Sequence, residues 1–278
     1  MKKLLALATL AFTLSAYGAW ASELRWDVKE HFLPNGLKVL LLEDHRAPVL
    51  TFQVWYRVGS RDEAPGQTGL SHMLEHMMFK GTPQHGPGVF SNLVQKQGGR
   101  HNAFTSQDYT AYFENIASDR AEVALELEAD RMVNLILDPE EIARERKVVM
   151  EERRSSVEDR PERELFEKVA ATAFRVHPYG WPIVGRASDI KNFNREKLLS
   201  HYRKYYKPNN ATAILVGDFN PAEMLKLLER YFGPIPAGPA PPKLKAVEPP
   251  QRKERRVTLR RVARLPSVVM AFHVPNIL

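Results

Sequence analysis

The sequence contains no cysteine, and this absence removes two kinds of structural support. A chain without thiols forms no disulfide bonds and offers no thiolate ligand to a metal ion. Beyond residues 1–21 it also contains no apolar run long enough to cross a bilayer. We therefore expect no integral membrane segment once those residues are removed, and no metal site of the cysteine type.

Residues 1–21 have the composition of a secretory signal peptide. Lys2 and Lys3 form the basic start, and Leu4–Ala16 is rich in leucine and small residues. Ala19-Trp20-Ala21 fits a cleavage site before Ser22. The alternative is an uncleaved membrane anchor, for which the apolar run is short. The pattern predicts export, with a periplasmic or secreted location.

Positive charge is in excess, with a formal net charge of +7. Much of it lies near the C-terminus, in residues 252–256 and at Arg260, Arg261 and Arg264. One interpretation is a basic patch that binds nucleic acid or an anionic surface. The other, which we favour, is a linker followed by the solvated face of a strand. Since no nucleic-acid-binding motif accompanies the charges, we expect no nucleic-acid partner.

The most informative stretch is residues 72–76, which read His72-Met73-Leu74-Glu75-His76. Two histidines four positions apart on a helix project from one face, so both imidazoles can reach a single metal ion. Glu75 points to nearly the same side. A surface helix with two solvated histidines is the alternative.

The surroundings of the pentapeptide argue against that alternative. Thr68-Gly69 and Ser71 offer polar groups for a helix start, and residues 80–83 supply a basic last turn, a glycine and a proline. A helix that is apolar nearly all round is buried, and buried histidines and glutamates need partners such as a shared metal. The apolar neighbours are Leu70, Met73, Leu74, Met77 and Phe79.

A second helix begins at Asp138-Pro139-Glu140-Glu141, where aspartate can cap and proline occupies the first helical position. Further along, Glu145 and Glu152 are seven positions apart and share a face, whereas Glu151 is rotated away by about 100°. For any one glutamate on this charged helix, the alternative is a solvated ion-pairing residue.

Together these motifs resemble the pitrilysin/insulinase family of zinc peptidases, which includes the mitochondrial processing peptidases. That family carries H-x-x-E-H and a later helix with two glutamates seven apart, at an interval like that from His76 to Glu152. Three further stretches resemble the family: residues 98–106, residues 177–180, and residues 206–210 leading to 216–218. The similarity runs from about Phe32 to the end.

The resemblance implies one bound Zn²⁺, held by His72, His76 and Glu152. Glu75 would be the catalytic general base, and Glu145 would orient a ligating histidine. Zinc would activate a water molecule and polarise the scissile carbonyl of a peptide substrate.

Residues 100–115 read as a hairpin, with two strand-like runs flanking Ser106-Gln107-Asp108. From sequence alone, two core strands are the simplest interpretation. In the resembling family the strand containing Asn-Ala is an edge that pairs with substrate. By that resemblance Asn102, Ala103 and Phe104 would bind substrate, although Phe104 could equally be a core aromatic.

The order of elements predicts an α+β fold, with a mixed, largely antiparallel sheet packed against helices. Besides the two motif helices, we expect one that starts at Ser118 or Asp119 and ends at about Leu137, and others over residues 165–174, 195–205 and 221–232, the last with Leu225 and Leu228 facing inward. We expect a catalytic domain over residues 22–232 and a proline-rich linker over 233–250. Residues 251–278 would start a truncated second homologous domain, because residues 256–274 align without gaps on residues 38–56 as strand, basic turn and strand. The resemblance implies a two-domain clamshell, of which the chain carries one half.

Two functions of different classes follow. The first is an exported zinc endopeptidase that acts on peptides or unfolded polypeptides and needs a complementary half or partner. The second is a non-catalytic subunit or assembly partner of a peptidase complex. A third interpretation, an anionic-surface binder, leaves the metal motif unexplained.

Overall fold

A six-stranded mixed sheet forms the centre of the fold, in a computed structural model that describes residues 26–274. The strands are β1 (Lys29–Phe32), β2 (Lys38–Glu43), β3 (Val49–Tyr56), β4 (Arg100–Thr105), β5 (Thr110–Ala117) and β6 (Ala211–Gly217). Their spatial order is β1-β2-β6-β3-β5-β4. Only β2 and β6 run parallel, so the largely antiparallel sheet predicted from sequence is confirmed.

The sheet buries one face more deeply than the other, and β3 shows this most clearly. Leu50, Phe52, Val54 and Tyr56 are 0–2 % exposed, whereas the residues between them are half-buried. This two-residue alternation is what a strand with one face on a core requires. The deeply buried face therefore defines the side on which the helices pack.

The helices are α1 (Leu70–Met77), α2 (Val89–Lys96), α3 (Ala121–Val133), α4 (Pro139–Arg153), α5 (Pro161–Ala173), α6 (Ala187–Ile190), α7 (Arg195–Tyr205) and α8 (Pro221–Phe232). Helix α1 contacts β4, β5, α4 and α7, and α3 contacts β3, β5 and α8. Helix α1 therefore lies between the sheet and α4, which is the arrangement that positions the candidate site. No helix in the described part of the chain combines the length and apolarity needed to cross a membrane.

Most predicted elements are present, with shifted ends. The helix expected from Ser118 to about Leu137 is instead a short 3₁₀ turn followed by α3, which ends at Val133. The helix expected at residues 165–174 starts earlier, because Pro161 occupies its first position. Helix α8 buries Leu228 as predicted, but Leu225 is only half-buried and Met224 takes the other inward position. Helix α2 was not predicted.

The C-terminal segment differs most from expectation. Between residue 233 and residue 274 the described chain forms no helix or strand, so the two strands predicted over 256–274 are absent there. Val262 is fully exposed and Val268 is 86 % exposed. A strand is stable only when its backbone pairs with a neighbour, and within the described residues this segment has none. The predicted signal peptide lies outside the described residues, and the division into domains stays a prediction.

Candidate metal centre

The histidine helix α1 is held at its start by a carboxylate from outside the helix. Gly69 precedes it with a left-handed φ of 92°, and a Cβ at that position would lie 2.6 Å from the carbonyl oxygen of Val184. The buried Glu63 accepts hydrogen bonds from the backbone amides of Gly69 (2.7 Å) and Ser71 (2.8 Å). Thr68, expected at the helix start, instead donates its hydroxyl to Asp189. Glu63 was not predicted, because a cap from a preceding loop leaves no periodic signal.

Helix α1 is buried as predicted. Met73, Leu74 and Met77 are 0 % exposed, while His72 is 9 % exposed and both Glu75 and His76 are half-buried. The apolar side chains thus fix the orientation of the helix and leave its two histidines facing α4.

The glutamate helix α4 forms as the sequence indicates. Asp138 accepts hydrogen bonds from the amides of Glu140 (2.8 Å) and Glu141 (3.1 Å), so the predicted cap is confirmed. Glu145 and Glu152 face α1, whereas the exposed Glu151 pairs with Arg154. The hundred-degree rotation per residue therefore selects Glu152 and not its neighbour.

His72, His76 and Glu152 converge on one point. Nε2 of His72 lies 3.5 Å from Oε1 of Glu152, and Nε2 of His76 lies 3.4 Å from Oε2 of the same carboxylate. One potential ligand atom from each of the three residues lies within 4.8 Å of the other two. Tetrahedral zinc with bonds of about 2.1 Å places adjacent ligand atoms about 3.4 Å apart. The three side chains therefore fit a zinc ion and would supply three of the four ligands that it usually takes.

Glu145 holds His76 in the form that a metal needs. Its Oε1 lies 2.8 Å from Nδ1 of His76, so Nδ1 donates to Glu145 and Nε2 points towards Glu152. Burial alone would lower the pKa of His76, but hydrogen bonds to Glu145 and Glu152 outweigh it and raise the pKa to about 9. Hydrogen bonds from His72 and His76 hold the pKa of the Glu152 carboxyl far below its usual range. Metal binding would therefore displace a proton from His76.

Glu75 is oriented by a strand residue that sequence reasoning missed. Oγ1 of Thr105, at the end of β4, lies 2.5 Å from Oε2 of Glu75 and donates to it. This contact satisfies one carboxylate oxygen and leaves the other for a further proton donor, such as a water molecule. Thr105 directly follows the predicted substrate strand residues, but nothing in their local sequence indicates that it turns towards α1.

The three predicted substrate-binding residues lie on β4, which is an edge strand of the sheet. Asn102 and Phe104 are exposed, and Ala103 is half-buried on the core side. Phe104 is 39 % exposed and packs edge-on against Trp55 at 5.4 Å, so it is not a core aromatic. The backbone edge and the metal helix are adjacent, because α1 packs against β4.

Two family models of known proteins match most of the chain. Residues 38–187 match the family model described as insulinase (peptidase family M16), and residues 192–278 match the model described as peptidase M16 inactive domain. The second range includes β6, which lies between β2 and β3, so it begins inside the folded unit. The boundary between the two matched ranges therefore falls within the sequence that forms the sheet, and not at its end.

Individual relatives carry related descriptions. Zinc protease PqqE of Helicobacter pylori is 37 % identical over 201 residues, which cover 72 % of this chain and 45 % of that protein. The beta subunit of the mitochondrial-processing peptidase of Blastocladiella emersonii is 32 % identical over 206 residues, covering 74 % and 44 %. The crystal structure of a protease from Helicobacter pylori superposes with a TM-score of 0.79 at 35 % identity, covering 81 % and 55 %.

The chain thus spans about half the length of the relatives that it matches. Its mixed fold agrees with that of the superposed protease. The resemblance predicted from the sequence is confirmed. The chain belongs to the insulinase family of peptidases, peptidase family M16.

Proposed function

We propose that this chain is the metal-binding half of an exported zinc endopeptidase that hydrolyses peptides or unfolded polypeptides. One observation carries the proposal: His72, His76 and Glu152 converge at zinc-like separations beside Glu75. Relatives described as zinc proteases support the choice of metal. When bound, zinc supplies a water molecule of lowered pKa and polarises the scissile carbonyl.

The residues of the chain have separate tasks in this proposal. Glu75, oriented by Thr105, takes the proton of the attacking water and passes it to the leaving amine. Glu145 keeps the proton of His76 on Nδ1, so that Nε2 is available to the metal.

Substrate would bind as an added strand along β4, beside Asn102, Ala103 and Phe104. An extended peptide that pairs with an edge strand gains affinity from main-chain hydrogen bonds, with little demand on its side chains. The position of β4 at the sheet edge and its contact with α1 support this assignment. A peptide bond paired there would lie near Glu75, because Thr105 belongs to the same strand.

Completion by a partner is part of the proposal. Since the relatives are about twice as long as the matched segment, we infer that a homologous second half, covalent or separate, covers the site. The composition of residues 1–21 supports a periplasmic or secreted location. The same half-length match also supports a second function, a non-catalytic subunit of a peptidase complex.

The decisive experiment combines zinc stoichiometry with cleavage of a quenched peptide. We expect one zinc per chain, retained in Glu75→Gln and lost in Glu152→Gln, with Glu151→Gln as the matched control that keeps it. Cleavage should require zinc and stop in Glu75→Gln. It is measured with and without a separately expressed C-terminal half of the Helicobacter pylori relative.

The outcomes separate the two functions. Failure of the unmodified chain to bind zinc would remove the metal centre. Zinc binding without cleavage, even with the complementary half, would favour the non-catalytic subunit. Cleavage by a zinc-loaded Glu75→Gln variant would contradict the general-base role.

A further inference from the structure

Lys80 lies just beyond the end of the histidine helix and reaches back to the glutamate helix. Its backbone amide donates to the carbonyl of Met77, the last residue of α1. Its ammonium nitrogen lies 2.6 Å from Oε2 of Glu145. The Lys80 side chain is 29 % exposed, and that of Glu145 is only 8 % exposed.

We propose that Lys80 is a positioning residue for the zinc ligand His76, and that it acts through Glu145. The inference rests on the metal centre described under the proposed function and extends it to a group that contacts neither metal nor substrate.

The argument begins with the two oxygens of Glu145. Oε1 accepts from Nδ1 of His76 at 2.8 Å, and Oε2 accepts from Lys80 at 2.6 Å. With both oxygens engaged, the carboxylate cannot rotate away from the imidazole without breaking a charge-assisted hydrogen bond. The proton on Nδ1 and the ring orientation of His76 are therefore fixed by the pair.

The same contacts join the two ligand-bearing helices. The path runs from His76 on α1 to Glu145 on α4 and back to Lys80, three residues past the end of α1. Glu152 lies two turns beyond Glu145 on the same face of α4. Glu145, held from both sides, therefore ties the two helices together next to the point where Glu152 approaches His76 at 3.4 Å.

An ordinary surface ion pair would contribute little, because solvent screens it and mobile side chains resist ordering. The Lys80 pair differs because Glu145 is almost fully buried. Removing Lys80 would leave one oxygen of this buried carboxylate without its hydrogen-bond partner, which is costly.

The sign of the effect on zinc affinity discriminates between two roles of the lysine. A lysine that acted only as a nearby positive charge would repel the metal, so its removal would tighten zinc binding. A lysine that positions Glu145 and His76 favours the metal, so its removal would weaken binding.

The experiment measures zinc affinity by competition with a chromophoric chelator, which requires no peptidase activity. Lys80→Met should bind zinc roughly ten- to hundredfold more weakly, the usual effect of losing support behind a metal ligand. Lys96→Met, which removes a positive charge from the exposed end of α2, should leave the affinity unchanged. In a Glu145→Gln background, Lys80→Met should have little further effect, since the two residues act in series.

A spectroscopic readout separates positioning from a general loss of structure. The Nδ1 proton of His76, protected by Glu145, should exchange with solvent faster in Lys80→Met, while the circular dichroism spectrum of the metal-free variant stays that of the unmodified chain. If Lys80→Met does not fold, Lys80→Ala, which also removes both the donor and the charge, takes its place.

Unchanged or tighter zinc binding in the Lys80 variants would overturn the proposal and leave the metal centre intact. An equal loss in the Glu145→Gln background would also overturn it, because Lys80 would then act by another route. If the unmodified chain binds no zinc, the metal centre itself fails and the role of Lys80 fails with it.

Discussion

Arg131 of α3 offers a quantitative test of how this fold tolerates buried charge. Its side chain is 1 % exposed, and its guanidinium donates to Glu128 and, at 3.3 Å, to Glu114, both fully buried. Burial and repulsion from Glu128 raise the pKa of Glu114 well above its usual range. The guanidinium also lies over the rings of Phe79 (4.7 Å), Phe90 (4.2 Å) and Tyr112 (4.5 Å).

Replacing Arg131 by methionine keeps an apolar stem of similar length but removes the only charge partner described for Glu128. Breaking a buried ion pair by deleting one member costs about 3–5 kcal/mol, because the other charge stays buried without compensation. Since about 2–4 °C of Tm is lost per kcal/mol in a chain of this size, we expect Tm to fall by about 6–20 °C.

The assay is urea unfolding followed by tryptophan fluorescence and circular dichroism, with the free energy of unfolding taken by linear extrapolation. Arg131→Met combined with Glu128→Gln should recover much of the loss, because the second change neutralises the stranded carboxylate. A loss below about 1 kcal/mol, as expected of exposed pairs, would refute the reasoning. So would a double variant no more stable than Arg131→Met alone.

Three further predictions concern pH, the C-terminal segment and the metal. Burial lowers the pKa of His201 to about 3, so unfolding below pH 6.5 takes up a proton and stability is lost as pH falls. Between about pH 6 and 4 the free energy of unfolding of the wild type should fall by up to about 1.4 kcal/mol per pH unit more than that of His201→Gln. The same dependence of the unfolding free energy on pH in both proteins would contradict this. Glu248 accepts backbone hydrogen bonds from residues 175–177 at 2.8–3.0 Å. Glu248→Ala should therefore speed hydrogen exchange of those three amides at least about tenfold. Unchanged exchange would mean that Glu248 does not hold this loop. When free zinc is present at a hundred times its Kd, the protein should be about 2.7 kcal/mol more stable than after chelation of the zinc. The stability of Glu152→Gln should not change on chelation.

Several elements could be predicted because their causes are local in the sequence. Helices α7 and α8 have the bounds expected from their patterns, and α4 starts at its aspartate cap. Capping and helical periodicity act over a few residues, so a single sequence reveals them. Helix α2 was missed because it is a single eight-residue stretch between glycines, too short for a clear period.

Other features depend on contacts between distant parts of the chain. Glu63 caps α1 from a loop, and Lys80 meets Glu145 across 65 positions. The strands expected over residues 256–274 also depend on distant contacts, and they do not form in the described residues because no partner strand is present there. Their sequence pattern resembles that of residues 38–56, but a pattern forms a strand only when another strand pairs with it.

By itself, the sequence determined which side chains can act together on one helix. Four-residue spacing places His72 and His76 on one face, and seven-residue spacing does the same for Glu145 and Glu152, because helix geometry fixes these directions. Only the tertiary structure decided that the two faces meet, with Glu152 3.5 Å from His72. The separation of two helices is set by packing over the whole core, including the buried α1 residues and the edge position of β4, and no local pattern encodes it.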